Sequence, residues 1–201
     1  EDLAQRFSYD AEIVPFVGRE QEQKELEEFL GDPKIPFRWW AITGPGGAGK
    51  SRLAFEFKKH IYAKWDVHYL VAEEYGKLFE LSDRLTRKTL IIADYVQEYA
   101  QELGMWMEGL NERAHSLPLR VLLVEREGRK EAESANEKRQ VYLDTAWEKQ
   151  LYNRVRHEQK LRNVCFKKDF LNLVPLSDSY LKVIIQNYAS VLKGGHKALS
   201  D

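Results

Sequence analysis

Apolar residues fall into short continuous runs, and amphipathic stretches separate them. That alternation predicts an α/β chain. Trp39-Trp40-Ala41-Ile42-Thr43 completes a strand that begins near Phe37. Thr89-Leu90-Ile91-Ile92-Ala93-Asp94 and Leu119-Arg120-Val121-Leu122-Leu123-Val124-Glu125-Arg126 are two more. Strands apolar at successive positions read as members of a parallel sheet covered on both faces. Val67–Val71 is a shorter strand, and Phe170–Val174, closed by Pro175, is the last. Helical periodicity marks a helix from Glu20 to about Leu30, with Leu26, Phe29 and Leu30 on its apolar face and Gly31-Asp32-Pro33 stopping it. A second helix runs from Ser51 to about Lys64, and a third from Tyr95 to Leu110 with Val96, Tyr99, Leu103, Trp106 and Leu110 as its stripe. A fourth, 145–162, carries Trp147, Leu151, Val155 and Leu161 beside a strongly basic face. Ser177 or Asp178 caps the last, with Leu181, Ile184, Ile185, Tyr188, Val191 and Leu192 on one face and Gly194-Gly195 expected to end it. Residues 1–12 and 127–140 are polar and read as a lead-in and a solvated loop, and 73–84 as a loop or short helix.

Gly44-Pro45-Gly46-Gly47-Ala48-Gly49-Lys50-Ser51 lies between the first strand and the helix after it, and matches G-x-x-x-x-G-K-[ST]. Strand, glycine loop, helix is the context in which that pattern binds phosphate. The glycines let several backbone N–H groups converge on a di- or triphosphate, and the helix adds the positive end of its dipole. Lys50 is expected to reach the β- and γ-phosphates, Ser51 to ligate magnesium, and Arg52 to lie beside the phosphates. The alternative is a glycine-rich turn that matches by chance.

Asp94 ends a buried strand at the edge where α/β folds bind ligands, and can hold that magnesium through water. Its competing role is a plain helix cap. Many P-loop hydrolases place a second acid next, to polarise the attacking water. Here Tyr95 follows, and the nearest acid beyond is Glu98, so hydrolysis is expected to be slow. Arg126 ends the adjacent strand, where it can meet a γ-phosphate or take part in a surface ion pair.

Composition narrows this little. The 201 residues suit one domain with a sizeable core. A net charge of −1 gives no broad case for nucleic acid or membrane binding. No apolar run approaches the ~18 residues of a membrane span. A single cysteine, Cys165, excludes an internal disulfide and fits a reducing cytoplasm. The chain begins at Glu1 and reads as a fragment or processed piece.

Taken together, the sequence resembles the nucleotide-binding module of the STAND NTPases, relatives of the AAA+ and NACHT/NB-ARC proteins. The resemblance rests on Phe16-Val17-Gly18-Arg19-Glu20 with its helix, the P-loop, Leu90 to Asp94, the strand ending at Arg126, and Leu173-Val174-Pro175-Leu176-Ser177. It covers roughly 13–192. It implies a three-layer P-loop NTPase sandwich with a mainly parallel five-stranded sheet in the order 5-1-4-3-2. It also implies bound ATP or ADP with Mg2+, the adenine covered by Phe16, Val17 and Gly18, with Arg19 near the base or ribose and Arg126 as the sensor of the γ-phosphate. Residues 1–36 then form the adenine-covering segment, 37–176 the core, and 177–201 a C-terminal helix or the start of a truncated helical domain. The function implied is a slow ATPase that switches between an ADP-held monomer and an ATP-driven oligomer. Effector and sensor domains would flank it in bacterial signalling or immunity. A P-loop phosphotransferase, and an interaction module with a vestigial P-loop, are the alternatives.

Overall fold

The computed structural model describes residues 15–32, 34–70, 79–80, 82–83, 85–94, 96–125, 129–131, 140–142 and 159–197. Their elements are α1 (Glu20–Leu30), β1 (Phe37–Thr43), α2 (Lys50–Ile61), β2 (Asp66–Leu70), β3 (Thr89–Asp94), α3 (Ala100–Glu112), β4 (Leu119–Val124), β5 (Arg129–Glu131), β6 (Gln140–Tyr142), α4 (Gln159–Asn163), β7 (Leu171–Asn172) and α5 (Asp178–Lys197). A 3-10 turn over Val96–Tyr99 leads into α3.

Five strands form one parallel sheet in the order β2-β3-β4-β1-β7. Counted along the chain this is 2-3-4-1-5, the expected order read from the other edge. Because strand side chains alternate, β1 feeds two separate cores. Phe37, Trp39 and Ala41 face α3, with Leu103, Trp106, Met107 and Leu110. Trp40 and Ile42 face α1 and α2, with Leu26, Phe29, Leu53 and Phe57. A sheet buried on both faces accounts for the near-continuous apolar runs of β1, β3 and β4.

The two tryptophans need polar partners as well as burial. Trp39 Nε1 donates to the Leu161 carbonyl at 2.8 Å, and Trp40 Nε1 to the Asp169 carbonyl at 3.1 Å. Arg120, fully buried in β4, donates to the Asp32, Ile35 and Leu119 carbonyls and so ties the α1–β1 connection to the sheet. Burial, then the charge of Arg38, lowers its pKa to about 10 against the pull of Asp32, which leaves it charged at neutral pH.

Three expectations are corrected, and one helix face is found open. The last strand is Leu171–Asn172, shorter than the expected Phe170–Val174, and the chain pairs with β1 in a second place upstream. Trp39 N–H donates to the Val164 carbonyl and Phe166 N–H to the Trp39 carbonyl, then the chain loops out and rejoins at Leu171–Asn172. Gly194-Gly195 does not stop α5, which continues to Lys197. A glycine ends a helix readily only by turning left-handed, and neither does so. The described part of the apolar stripe of α5 is largely exposed: Ile184 is half-buried, but Leu181 stands open and Ile185 is 64% exposed. Within the polar stretch 127–140, β5 pairs antiparallel with β6, an arrangement without a hydrophobic signal. The helix expected over 145–162 lies outside the described residues except for its end in α4.

Candidate functional site

Gly44 to Ser51 cross the C-terminal edge of the sheet between β1 and α2. Gly44 sits at φ 146°, and a Cβ there would lie 2.4 Å from the Leu173 carbonyl oxygen. Only glycine lets the loop pass the end of β7. Gly47 and Gly49 are left-handed, at φ 79° and 88°, and Gly49 precedes the first turn of α2. A Cβ on Gly46, Gly47 or Gly49 would meet nothing within 4 Å. Those glycines therefore border open space, which is the room an anion needs beside backbone N–H groups.

Lys50 opens α2 and is buried, with Nζ donating to the Gly44 and Pro45 carbonyls at 2.8 and 2.9 Å. Its ammonium thus lies within the loop itself. Ser51 Oγ donates to Asp94 Oδ2 at 2.7 Å, joining the first turn of α2 to the tip of β3. A hydroxyl and a carboxylate in contact are hard oxygen donors of the kind magnesium takes alongside water and phosphate oxygens. Among the described residues no three His, Cys, Asp or Glu gather as a metal cage. The donor set fits a magnesium ion that arrives with a polyphosphate.

Arg52, the next residue, pairs with Glu56 at 2.7 Å along the helix. Glu125, just beyond β4, is a buried acid whose N–H donates to the Ile42 carbonyl at 3.0 Å, which places it beside the strand leading into the P-loop. Arg126 and Tyr95 lie outside the described residues.

The Phe16–Arg19 segment packs beside this edge. Phe16 is half-buried against the α1/α2 core, and Val17 is half-buried. Gly18 is left-handed at φ 70°, and a Cβ on it would come within 2.7 Å of the Tyr180 ring in the first turn of α5. Arg19 is 4% exposed. Its Nη1 donates to Glu22 Oε1 at 2.6 Å, and its Nη2 to both the Ala48 carbonyl at 2.8 Å and the Val174 carbonyl at 2.7 Å. The family resemblance sets these residues near a base or ribose. The structure places the Arg19 guanidinium on the P-loop backbone and on the approach to α5. Sequence reasoning missed Tyr180 and the Val174 carbonyl. A tyrosine on a helix face carries no mark of the glycine it will cover, and a carbonyl has no sequence signal at all.

No protein-family model and no curated protein matches the chain. Solved structures do. The Thermotoga maritima RuvB Holliday junction branch migration motor matches with a TM-score of 0.54 at 18% identity, over 90% of this chain and 55% of its own. A point variant of the same motor gives 0.55 at the same identity. C. elegans PCH-2 gives 0.51 at 13% identity, over 91% of this chain and 52% of its own. The chain therefore has an α/β P-loop NTPase fold like that of RuvB, and spans little more than half the length of the proteins it resembles. Among the described residues no helix is long and apolar enough to cross a membrane.

Proposed function

We propose that the chain is an ATP/ADP-binding switch module with slow magnesium-dependent ATP hydrolysis. The observation that carries this is one edge of the sheet holding an open glycine cradle, Lys50 within it, and the Ser51–Asp94 pair at its side. The groups needed to hold a magnesium nucleotide are all present, which argues against a vestigial loop. When bound, the nucleotide supplies the phosphoryl group that is hydrolysed. With a nucleotide in the loop, Lys50, which holds the Gly44 and Pro45 carbonyls, would serve phosphate oxygens, and the N–H groups of the loop would orient them. Ser51 and Asp94 would hold the magnesium, which would supply charge neutralisation at the phosphates.

The resemblance to STAND NTPases supports the finer assignments, Phe16, Val17 and Gly18 over the adenine, Arg19 near base or ribose, and Arg126 at the γ-phosphate, while Arg52 beside the phosphates belongs to the P-loop reading. It equally supports ATP-driven self-association, flanking effector and sensor domains, and a signalling or immune role, and the single cysteine fits a reducing cytoplasm. Tyr95 after Asp94 supports slow turnover, since a neighbouring carboxylate would otherwise polarise the water.

The test is to denature the purified protein and identify any released nucleotide. ATP turnover and light scattering then follow, with ADP and with ATP. Bound adenine nucleotide, slow phosphate release and a larger species in ATP are the expected results. Transfer of phosphate to an added small acceptor would point instead to a phosphotransferase.

A further inference from the structure

Arg19 is a buried cation that joins three segments distant in sequence, and its bonds have a direction. In a trans peptide the carbonyl oxygen of one residue and the amide hydrogen of the next point to opposite sides. Holding the Ala48 oxygen therefore aims the Gly49 N–H the other way. Gly49 borders the open space of the cradle and adopts a left-handed conformation, so its orientation is set by the loop and not by a side chain. The nitrogen that grips Ala48, Nη2, also grips Val174, two residues past β7 and four before α5 begins. Nη2 carries two hydrogens, one for each carbonyl. The second peptide ends in Pro175, which has no N–H, so the carbonyl that Arg19 holds is the only hydrogen-bonding group of that peptide. Tyr180, on Gly18, adds a second contact between the same two regions.

We propose that Arg19 is the positioning residue of the phosphate site, and that its Nη2 couples phosphate occupancy to the seating of α5. The inference rests on the nucleotide-binding reading above and extends it. A phosphate that draws in the Gly49 N–H turns the Ala48 peptide, and the turn changes how far Nη2 can serve Val174. Lysine cannot replace this, because one ammonium lacks the planar fork that meets two carbonyls and a carboxylate together.

The experiment is an equilibrium titration with magnesium ADP, paired with amide hydrogen exchange over the first turn of α5. Wild type, Arg19→Lys and Glu22→Gln are compared well below their melting temperatures. In the wild type, ADP should change exchange in that turn. Arg19→Lys should weaken ADP binding by about tenfold or more and remove the exchange response. Glu22→Gln, which keeps both carbonyl bonds, should stay within about twofold of wild type. A wild type that binds ADP with no change at α5 overturns the inference even if the lysine variant does not fold. So does a lysine variant that melts earlier yet binds ADP with wild-type affinity. A wild type that binds no nucleotide overturns the functional reading, and this inference with it.

Discussion

Ser51 Oγ and Asp94 Oδ2 are 2.7 Å apart, although 43 residues separate them in sequence. The contact brings the start of α2 to the end of β3 at the edge of the sheet where the glycine loop opens. Replacing Asp94 with asparagine keeps the shape and an acceptor for Ser51 but removes the charge. Magnesium dependence of nucleotide binding should fall by about tenfold or more, with the melting temperature little changed, because a charge-assisted interaction is lost. Unchanged metal dependence in a magnesium titration would take Asp94 out of the site.

Lys50→Ala should remove the thermal stabilisation by ATP. A ligand at about 100 times its Kd adds about 2.7 kcal/mol to the stability of the protein that binds it. A melting scan with and without magnesium ATP reads the loss directly. The variant also leaves the Gly44 and Pro45 carbonyls without the Lys50 ammonium, so its baseline melting temperature should fall slightly.

Two glycines two residues apart should respond in opposite ways. Gly44→Ala puts a Cβ 2.4 Å from the Leu173 oxygen at a positive φ, and should cost about 3 kcal/mol or more. Gly46 has no positive φ and nothing within 4 Å, so Gly46→Ala should leave the melting temperature nearly unchanged and weaken nucleotide binding by filling the cradle. Equal loss of stability in both would contradict the loop geometry.

Burial pushes the Cys165 thiol up to about 12, against the backbone hydrogen bonds at Lys167 and Phe166 and the charge of Arg38. Its folded pKa lies above the unfolded value of 9.0. The native state therefore holds the proton longer than the unfolded chain does. Its contribution to stability is complete below about pH 9 and is lost as pH rises towards about 12. Native protein at about pH 8 should alkylate at least about tenfold more slowly than denatured protein, because the thiolate is the nucleophile. Cys165→Ser should flatten part of the alkaline decline in stability.

The site is legible in the sequence where its chemistry is local. The P-loop declares itself by spacing, and β3 spans Thr89–Asp94 as its apolar run indicates. What is not legible depends on partners distant in sequence. Arg19 bonds carbonyls 29 and 155 residues away, and carbonyls are the same at every position. The apolar stripe of α5 has helical spacing, yet periodicity says only that a face could be covered, not that anything covers it. The fifth strand is legible too, since Leu171–Asn172 falls within the expected Phe170–Val174, but the further pairing of Trp39 with Val164 and Phe166 has no mark in the sequence.

The most direct test of the nucleotide site is calorimetric titration of the wild-type chain and Lys50→Ala with magnesium ADP and magnesium ATP. Saturable one-to-one binding by the wild type, abolished in the variant, is the expected result. A wild type that takes up neither nucleotide, or a variant that binds as well as the wild type, would contradict it.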